Sequence, residues 1–266
     1  MNPRGTAKKP AVVCLSGGMD STSLLLHLLA RERQVHGISF NYGQRHLLEL
    51  DFLSRNLRYL AERGLSVEHR VIDLRELGNM FDSALLQASD RALPLGHYDQ
   101  DNMRDTVVPN RNAIFASIAF GWALSLAKRG EVSVDLGLGV HAGDHQIYPD
   151  CRPEFYRQLW QAFTAGNWDA ERVELYLPYL NDHKQGILED ALNSCATLEL
   201  DFDTVLGNTL TSYWPDATGT AHGLTGSDVE RILAFHAIGR EDPIPYRAGW
   251  EKALQEARRL AAGRCE

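Results

Sequence analysis

The hydrophobic positions in the first third of the chain form short runs that alternate with longer segments of helical spacing. Residues 11–15 are one apolar run, closely followed by two glycines, and leucines at 24, 25, 28 and 29 then mark one helix face. The same pattern predicts strands over 35–40 and 67–74 and a helix over 47–63. Strands and helices that alternate in this way indicate parallel strands joined by crossover helices.

The rest of the chain continues this pattern and then becomes mainly helical. An alanine-rich segment over 112–128 predicts a long helix, 132–138 predicts a buried strand, and 174–177 predicts a fifth strand. Three helices are predicted after Asp182, over 186–196, 227–238 and 248–262, with a Gly- and Thr-rich stretch among them. We therefore expect an α/β protein with a mostly parallel sheet flanked by helices. Its first domain is predicted over 1–181, and a small helical C-terminal appendage over 182–266.

The segment 79–106 interrupts this order. It is polar and irregular, contains Pro94 and Gly96, and is longer than an ordinary connection. Two interpretations stay open, a functional or partly mobile loop and a plain insertion.

Composition and charge narrow the class of protein. A chain of 266 residues with 44% hydrophobic content buries a substantial core, and a formal net charge of -8 offers no basic surface for nucleic acid or an anionic membrane. No apolar run approaches the roughly 20 residues that span a bilayer. The four cysteines have no paired spacing, so we expect reduced thiols. These features predict a cytoplasmic protein without direct nucleic-acid or membrane partners.

The loop between the first strand and the first helix carries the most specific motif, Ser16-Gly-Gly-Met-Asp-Ser-Thr22. Its glycines let the backbone approach a ligand, and the N–H groups that begin the helix favour an anion. Asp20 fits beside phosphate if Mg²⁺ lies between them, and Ser21 or Thr22 is placed to cap the helix or contact a phosphate oxygen. A glycine pair alone would fit a plain turn equally well. The loop lacks the lysine of Gly-Lys-Ser/Thr nucleotide loops, which favours release of pyrophosphate over kinase chemistry.

Several further motifs resemble one enzyme family. They are Ser39-Phe-Asn-Tyr-Gly-Gln-Arg-His46, His69-Arg-Val-Ile-Asp-Leu74, Val108-Pro-Asn-Arg-Asn112 and Tyr148-Pro-Asp-Cys-Arg-Pro-Glu-Phe155, with Arg231, Phe235 and Asp242 nearer the C-terminus. From about residue 11 to 246 the chain resembles the 7-cyano-7-deazaguanine synthases of queuosine biosynthesis, within the pyrophosphatase-loop (PP-loop) superfamily. The resemblance implies a Rossmann-like PP-loop fold, ATP and Mg²⁺ as cofactors, and we expect a homodimer.

The resemblance also implies a reaction. ATP activates the carboxylate of 7-carboxy-7-deazaguanine, ammonia converts the activated acid into an amide, and a second activation yields the nitrile. The physical logic is that a carboxylate is a poor electrophile, whereas its mixed anhydride with AMP has a good leaving group.

Residue roles follow from the motifs. The pyrophosphate and its metal are expected at Ser16, Gly17, Gly18, Asp20, Ser21 and Thr22. Arg45 and His46 follow the second strand, where they are expected to neutralise phosphate or substrate carboxylate, although Arg45 would also suit a surface ion pair. Arg111 and Asn112 are expected to contact nucleotide or to cap the helix that they precede. Lys184 matches a family lysine that stabilises the departing pyrophosphate, with a solvated lysine as the alternative.

A guanine-like ring edge needs a carboxylate that faces two N–H donors. Asp150 is the first choice for this role and Asp144 the second. Tyr42, Tyr148 and Phe155 are expected either to stack on the ring or to pack in the core, and Arg152 belongs to the same substrate-binding motif. His141 and His145 have no metal partner at nearby spacing, so we expect structural histidines.

The family's four zinc-binding cysteines are missing here. Ser212, His222, Thr225 and Asp228 stand at their positions, and serine and threonine are poor zinc ligands, so we predict no structural zinc. This departure leaves three functions open. We favour transfer of the activated acid to a protein amine, as in QueC-like components of antiphage operons such as CBASS. The alternatives are the parental synthase that uses ammonia and a non-catalytic nucleotide-binding protein.

Overall fold

A computed structural model describes residues 8–93, 101–145 and 147–262 of the chain. Its sheet has five parallel strands: β1 Pro10–Cys14, β2 Gln34–Asn41, β3 Glu68–Asp73, β4 Val134–Gly137 and β5 Val173–Tyr176. They lie in the order β3-β2-β1-β4-β5, with Ala11 opposite Val35 on one side and Asp135 on the other. The chain thus proceeds outward from β1 in one direction and then in the other, which places the reversal of strand order between β1 and β4.

Helices cover both faces of this sheet. In the described residues the α-helices are α1 Met19–Ala30, α2 Glu49–Ala61, α3 Arg75–Gly78, α4 Arg111–Gly130, α5 Pro153–Gly166, α6 Lys184–Thr197, α7 Phe202–Gly207, α8 Gly226–Ala237 and α9 Trp250–Ala262. Side chains alternate along β1, so Ala11 and Val13 face a core with α1 and α6, whereas Val12 faces one with α4. Strands that are buried on both faces have apolar residues at consecutive positions, which explains the short apolar runs in the sequence.

The predicted α/β class with its parallel sheet is confirmed. Three α-helices were not predicted from the sequence: α5, and the short α3 and α7. Within the predicted long loop, residues 79–93 contain neither helix nor strand, 101–106 form a 3-10 helix, and 94–100 lie outside the described residues.

The C-terminal helices are closely joined to the sheet domain. Leu24 and Leu28 of α1 belong to one hydrophobic core with Ile187 and Leu188 of α6. The core is therefore shared across the boundary predicted between residues 181 and 182. No helix in the described part of the chain is long and apolar enough to cross a bilayer.

Candidate active site

A cavity of about 240 Å³ opens at the carboxyl ends of β1 and β4. Ligands of open α/β sheets bind at such a reversal of strand order. We call one side the phosphate half, which comprises Ser16, Gly18, Asp20, Ser21, His141, Asp144 and Lys184. The aromatic half comprises Phe40, Tyr42, His46, Glu49, Arg111, Phe115 and Tyr213. Both predicted domains contribute side chains, so the cavity depends on the packing of the C-terminal helices.

The phosphate loop turns sharply between β1 and α1. Gly17 has φ +93°, and a Cβ at this position would lie 2.1 Å from the carbonyl oxygen of Glu49, so only glycine fits. Ser21 Oγ accepts the N–H of Ser16 at 3.2 Å, and Ser16 Oγ accepts the N–H of Gly18 at 3.1 Å. The loop is thereby closed on itself in front of the N-terminus of α1.

A C-terminal loop holds the phosphate loop from behind. The N–H of Leu210 donates to the Gly17 carbonyl at 2.9 Å, and the N–H of Met19 donates to Thr211 Oγ1 at 3.4 Å. The fully buried Arg231 donates to Thr211 Oγ1 at 2.9 Å and forms a two-point ion pair with Asp242. Breaking one partner of such a buried pair is costly, so Arg231 fixes the position of this loop.

Five ionisable groups meet beside the phosphate loop. Lys184 Nζ lies 3.0 Å from Asp20 Oδ2 and 3.7 Å from Glu230 Oε2, and His141 Nε2 lies 3.7 Å from Asp20 and 3.5 Å from Asp144. Burial opposes ionisation of Asp20, but the charges of Lys184 and His141 lower its pKa. Burial likewise opposes the charge of Lys184, yet Asp20 and Glu230 raise its pKa. Both groups are therefore charged at neutral pH.

The phosphate half has features that fit a triphosphate with its cation. Asp20 Oδ1 and Thr22 Oγ1 are buried and have no hydrogen-bond partner in the described structure, and Gly17 leaves no room for a side chain. No group of three or more His, Cys, Asp or Glu side chains within the described residues is arranged to hold a metal ion. A cation here would bind through Asp20 together with phosphate oxygens rather than in a protein cage.

The aromatic half is flat and apolar on one side. Phe115 stacks on Phe40 with ring centroids 4.1 Å apart and meets the edge of Tyr42 at 5.3 Å, while Tyr213 lies 5.4 Å from His46. Rings in this arrangement suit a planar heterocycle.

Arg111 and Asn112 stand at the start of α4, with Arg111 in the aromatic half. Arg111 Nε donates to Asn112 Oδ1 at 3.2 Å, and none of the ion pairs among the described residues involves Arg111. Asp150 does not line the cavity. Its Oδ2 accepts the N–H of Asn112 at 3.3 Å, so this carboxylate satisfies the helix N-terminus.

Two ionisable groups of the aromatic half are neutral. Burial raises the pKa of the Glu49 carboxyl to about 8, although the hydrogen bond from Gln44 and the charge of Arg111 oppose the shift. Burial and the charge of Arg111 lower the pKa of His46 to about 3. This half therefore places a protonated acid and a neutral imidazole beside an arginine at pH 7.

Several predicted site residues lie outside the cavity lining. Arg45 donates through its guanidinium to the carbonyl groups of Leu86, Ser89 and Arg91, and so holds that loop. Tyr148 Oη is 2.8 Å from Thr106 Oγ1, Phe155 packs edge-on against Tyr156, and Arg152 donates to the His145 carbonyl. Tyr148, Phe155 and Arg152 thus shape the wall behind the cavity.

Sequence reasoning missed three ionisable residues at the site: Glu49, Glu230 and His141, which was expected to be structural. Glu49 had a detectable signal, because it falls on the buried stripe of α2 with Leu53, Asn56 and Leu60. A glutamate on a buried apolar stripe indicates a functional or hydrogen-bonded carboxyl group. Glu230 gave no such signal, since only the packing of α8 brings it to Lys184.

Two cysteines, Cys14 and Cys151, also line the cavity. Burial raises the pKa of the Cys14 thiol to about 12 and that of Cys151 well above its ordinary value. Both are thiols at neutral pH, which argues against a cysteine nucleophile.

Three of the four positions of the missing zinc ligands form a closed polar cluster. Ser212 Oγ and Thr225 Oγ1 donate to Asp228 Oδ2 at 3.2 and 2.8 Å, and all three residues are about 1% exposed. Thr225 and Asp228 also form the capping box of α8, while His222 stacks on Trp214. The absence of zinc stays a prediction. Asp228 Oδ2 accepts the hydrogen bonds of this cluster, whereas Asp228 Oδ1 is buried without a hydrogen-bond partner in the described structure.

Comparisons with known proteins agree on one family. The family model of "Queuosine biosynthesis protein QueC" matches residues 10–239. The chain is 39% identical over 238 residues to 7-cyano-7-deazaguanine synthase 2 of Colwellia psychrerythraea, covering 90% of this chain and 99% of that protein. It is also 39% identical over 238 residues to the 7-cyano-7-deazaguanine synthase of Psychromonas ingrahamii, covering 90% and 98%. Among solved structures, a 4-thiouridine synthetase in an RNA complex with bound ATP has a TM-score of 0.43 and is 15% identical to this chain. The match covers 96% of this chain and 52% of that one, and this likeness carries no functional argument.

Proposed function

We propose, from the premise that this chain belongs to the family of the queuosine biosynthesis protein QueC, that it is an ATP-dependent 7-cyano-7-deazaguanine synthase. The observation that carries the proposal is the cavity itself, in which a phosphate loop with a charged Asp20–Lys184 pair adjoins an aromatic half. One half suits a triphosphate and the other a planar ring, so the two substrates would meet between them.

The first step is activation of the acid. A carboxylate oxygen of 7-carboxy-7-deazaguanine attacks the α-phosphorus of ATP, a P–O bond forms, and the bond to the β-phosphate breaks with release of pyrophosphate. Lys184 at the start of α6 stabilises the charge that develops on pyrophosphate, and the N-terminus of α1 with Ser16 and Ser21 holds the phosphate oxygens. Asp20 would hold Mg²⁺ together with phosphate oxygens, and the cation would further neutralise the phosphate charge.

The second step forms the C–N bond. Ammonia attacks the carbonyl carbon, the C–O bond to AMP breaks, and the nitrogen loses a proton to give the amide. A second ATP then activates the amide oxygen and releases a second pyrophosphate. Loss of AMP together with both protons of the amide nitrogen gives the nitrile. Arg111 is suited to the anionic end of the activated acid because it lies in the aromatic half without an ion pair among the described residues.

The comparisons favour ammonia over the protein amine that the sequence led us to prefer. Both relatives described above are named as synthases of the nitrile, and neither name mentions a protein acceptor. A protein acceptor would need an opening beside residues 212–228 through which its amine could approach. Ser212, Thr225 and Asp228 are instead buried and hydrogen-bonded to one another, which leaves that opening without structural support.

Product analysis tests the proposal. The purified chain is incubated with ATP, Mg²⁺ and 7-carboxy-7-deazaguanine, with and without ammonia, and products are followed by mass spectrometry. We expect amide and then nitrile only with ammonia, with two pyrophosphates released per nitrile. Absence of both products while ATP and the acid are bound would overturn the proposal, as would an adduct on a co-expressed protein with no free nitrile.

A further inference from the structure

The carboxylate expected to recognise the heterocycle is not in the aromatic half at either predicted position. Asp150 is bound to the N–H of Asn112 outside the cavity lining. Asp144 lies 3.5 Å from His141, in the phosphate half near Lys184. The aromatic half nevertheless contains one carboxyl group, that of Glu49.

Glu49 is held in a fixed position. Gln44 Nε2 donates to Glu49 Oε1 at 3.2 Å, and Gln44 is itself fixed because it donates to the Phe40 carbonyl at 3.0 Å and accepts the N–H of Tyr42 at 2.9 Å. The backbone carbonyl of Glu49 also packs against Gly17. The position of Glu49 is therefore coupled to that of the phosphate loop. Gln44 thus occupies Oε1, and Oε2 accepts no hydrogen bond from the described residues, so Oε2 is placed to accept hydrogen bonds from a ligand.

The surroundings of Glu49 suit a flat ring with N–H donors. Tyr42, Phe40 and Phe115 form the apolar wall, and the His46 imidazole lies 3.8 Å from Glu49 Oε1. Arg111 stands nearby as the positively charged group. A buried carboxyl costs stability unless a partner satisfies it, and two adjacent N–H donors on a ring edge would do so.

We propose that Glu49 is the side chain that recognises the amide-and-amine edge of the deazaguanine ring, through hydrogen bonds from ring N1–H and the exocyclic 2-amino group. The inference rests on the proposed function, since it assigns the ring-binding residue of that same site. Glu49 is protonated in the free protein, but two N–H donors from the ring and the nearby charge of Arg111 favour its ionised form in the complex. The carboxylate then matches the deazaguanine edge, whereas the adenine edge has one donor beside the N1 acceptor and is repelled.

The test compares two ring substrates in matched variants. Glu49→Gln retains the shape of the side chain and the contact with Gln44, but it cannot accept two N–H donors at its outer end. The matched control is Glu62→Gln, an exposed glutamate just beyond the C-terminus of the same helix. KM is measured for 7-carboxy-7-deazaguanine and for the analogue without the 2-amino group, and ATP affinity is measured separately.

We expect Glu49→Gln to raise KM for 7-carboxy-7-deazaguanine by about 10- to 100-fold and to erase the preference over the analogue, with ATP affinity within about 3-fold. Glu62→Gln retains the wild-type preference. Unchanged ATP affinity shows that the variant is folded. If Asp150→Asn or Asp144→Asn erases the preference and Glu49→Gln does not, the inference is overturned.

Two other outcomes separate the inference from the function on which it rests. A Glu49→Gln variant that loses ATP affinity and keeps its ring preference would place adenine at Glu49 and overturn the inference alone. A wild-type protein that binds ATP but not 7-carboxy-7-deazaguanine would overturn the proposed function, and the inference with it.

Discussion

The two halves of the cavity handle buried charge in different ways. In the phosphate half, Lys184 lies within 3.0 Å of Asp20 and 3.7 Å of Glu230, so opposite charges are paired before any ligand binds. In the aromatic half, Glu49 has a pKa raised to about 8, and Arg111 forms no ion pair among the described residues. The phosphate half is thus preorganised for charge, whereas the aromatic half gains its charge partners from the ligand.

The largest effect is expected from breaking the charged pair of the phosphate half. Asp20→Asn or Lys184→Met should each lower the rate of pyrophosphate release by about 100- to 1000-fold. Because the two residues act as a unit, the double variant should lose little more than either single one. Steady-state release of pyrophosphate measures this, with Lys128→Met at the exposed end of α4 as the control. Near wild-type rates in either single variant would contradict the role of the pair.

The next effect concerns the contact that joins the halves. Gly17→Ala combines φ +93° with a Cβ only 2.1 Å from the Glu49 carbonyl oxygen, so we expect a loss of about 3 kcal/mol or more in the free energy of unfolding. Gly64→Ala has φ +77° but no atom within 4 Å of the added Cβ, and should cost about 1 kcal/mol. Denaturant unfolding distinguishes them, and equal losses would show that backbone strain alone explains the glycine at 17.

The two halves also differ in how far the sequence predicted them. The phosphate loop was visible because its residues are contiguous and lie between a recognisable strand and helix. Glu49, Arg111 and Tyr213 come from three distant segments, and only the packing of α2 and α4 against the sheet assembles them. The motifs identify the segments that surround the ring site, but they do not show which side chains point into the cavity. Arg45 and Asp150 were therefore expected to line it, whereas both side chains are hydrogen-bonded to backbone groups outside it.

The same limit applies to the C-terminal region. The sequence predicted three of its four α-helices but not the short α7, and Lys184 begins α6 near the predicted start. The sequence could not predict that Ser212 would donate to Asp228, because hydrogen-bond partners 16 positions apart leave no periodic signal.

A smaller effect is expected from the closed polar cluster. Asp228→Ala leaves the buried Ser212 hydroxyl without its acceptor, leaves Thr225 Oγ1 only Ser227 Oγ at 3.0 Å, and removes the capping box, so unfolding should become easier by about 2–3 kcal/mol. Asp51→Ala, on the exposed side of α2, should change stability by about 0.5 kcal/mol or less. Metal analysis of the wild-type protein should find no stoichiometric zinc. One tightly held zinc per chain would contradict the view that hydrogen bonds hold this segment together.

The smallest effect, counted per pH unit, is a pH dependence of stability that arises in the aromatic half. The pKa of Glu49 is raised from an ordinary 4.5 to about 8 on folding, so its proton stabilises the native state at low pH and that contribution is lost as pH rises through this window. As pH rises from 5 to 8, the free energy of unfolding of Glu49→Gln should therefore increase relative to that of wild type, by no more than about 1.4 kcal/mol per pH unit. Unfolding curves of the two proteins at each pH measure this difference. Arg111, His46 and Tyr42 face position 49 in both proteins, so their own effects largely cancel in the comparison. A difference that does not change with pH would show that Glu49 is ionised in the free protein.

Exchange of labelled pyrophosphate into ATP tests the central claim most directly, because it reports adenylation of the acid without the later steps. We predict exchange that requires 7-carboxy-7-deazaguanine, is absent with carboxylates that lack the ring, and is lost in Lys184→Met. Exchange that proceeds equally well without the deazaguanine acid, or none at all although both substrates bind, would contradict the account.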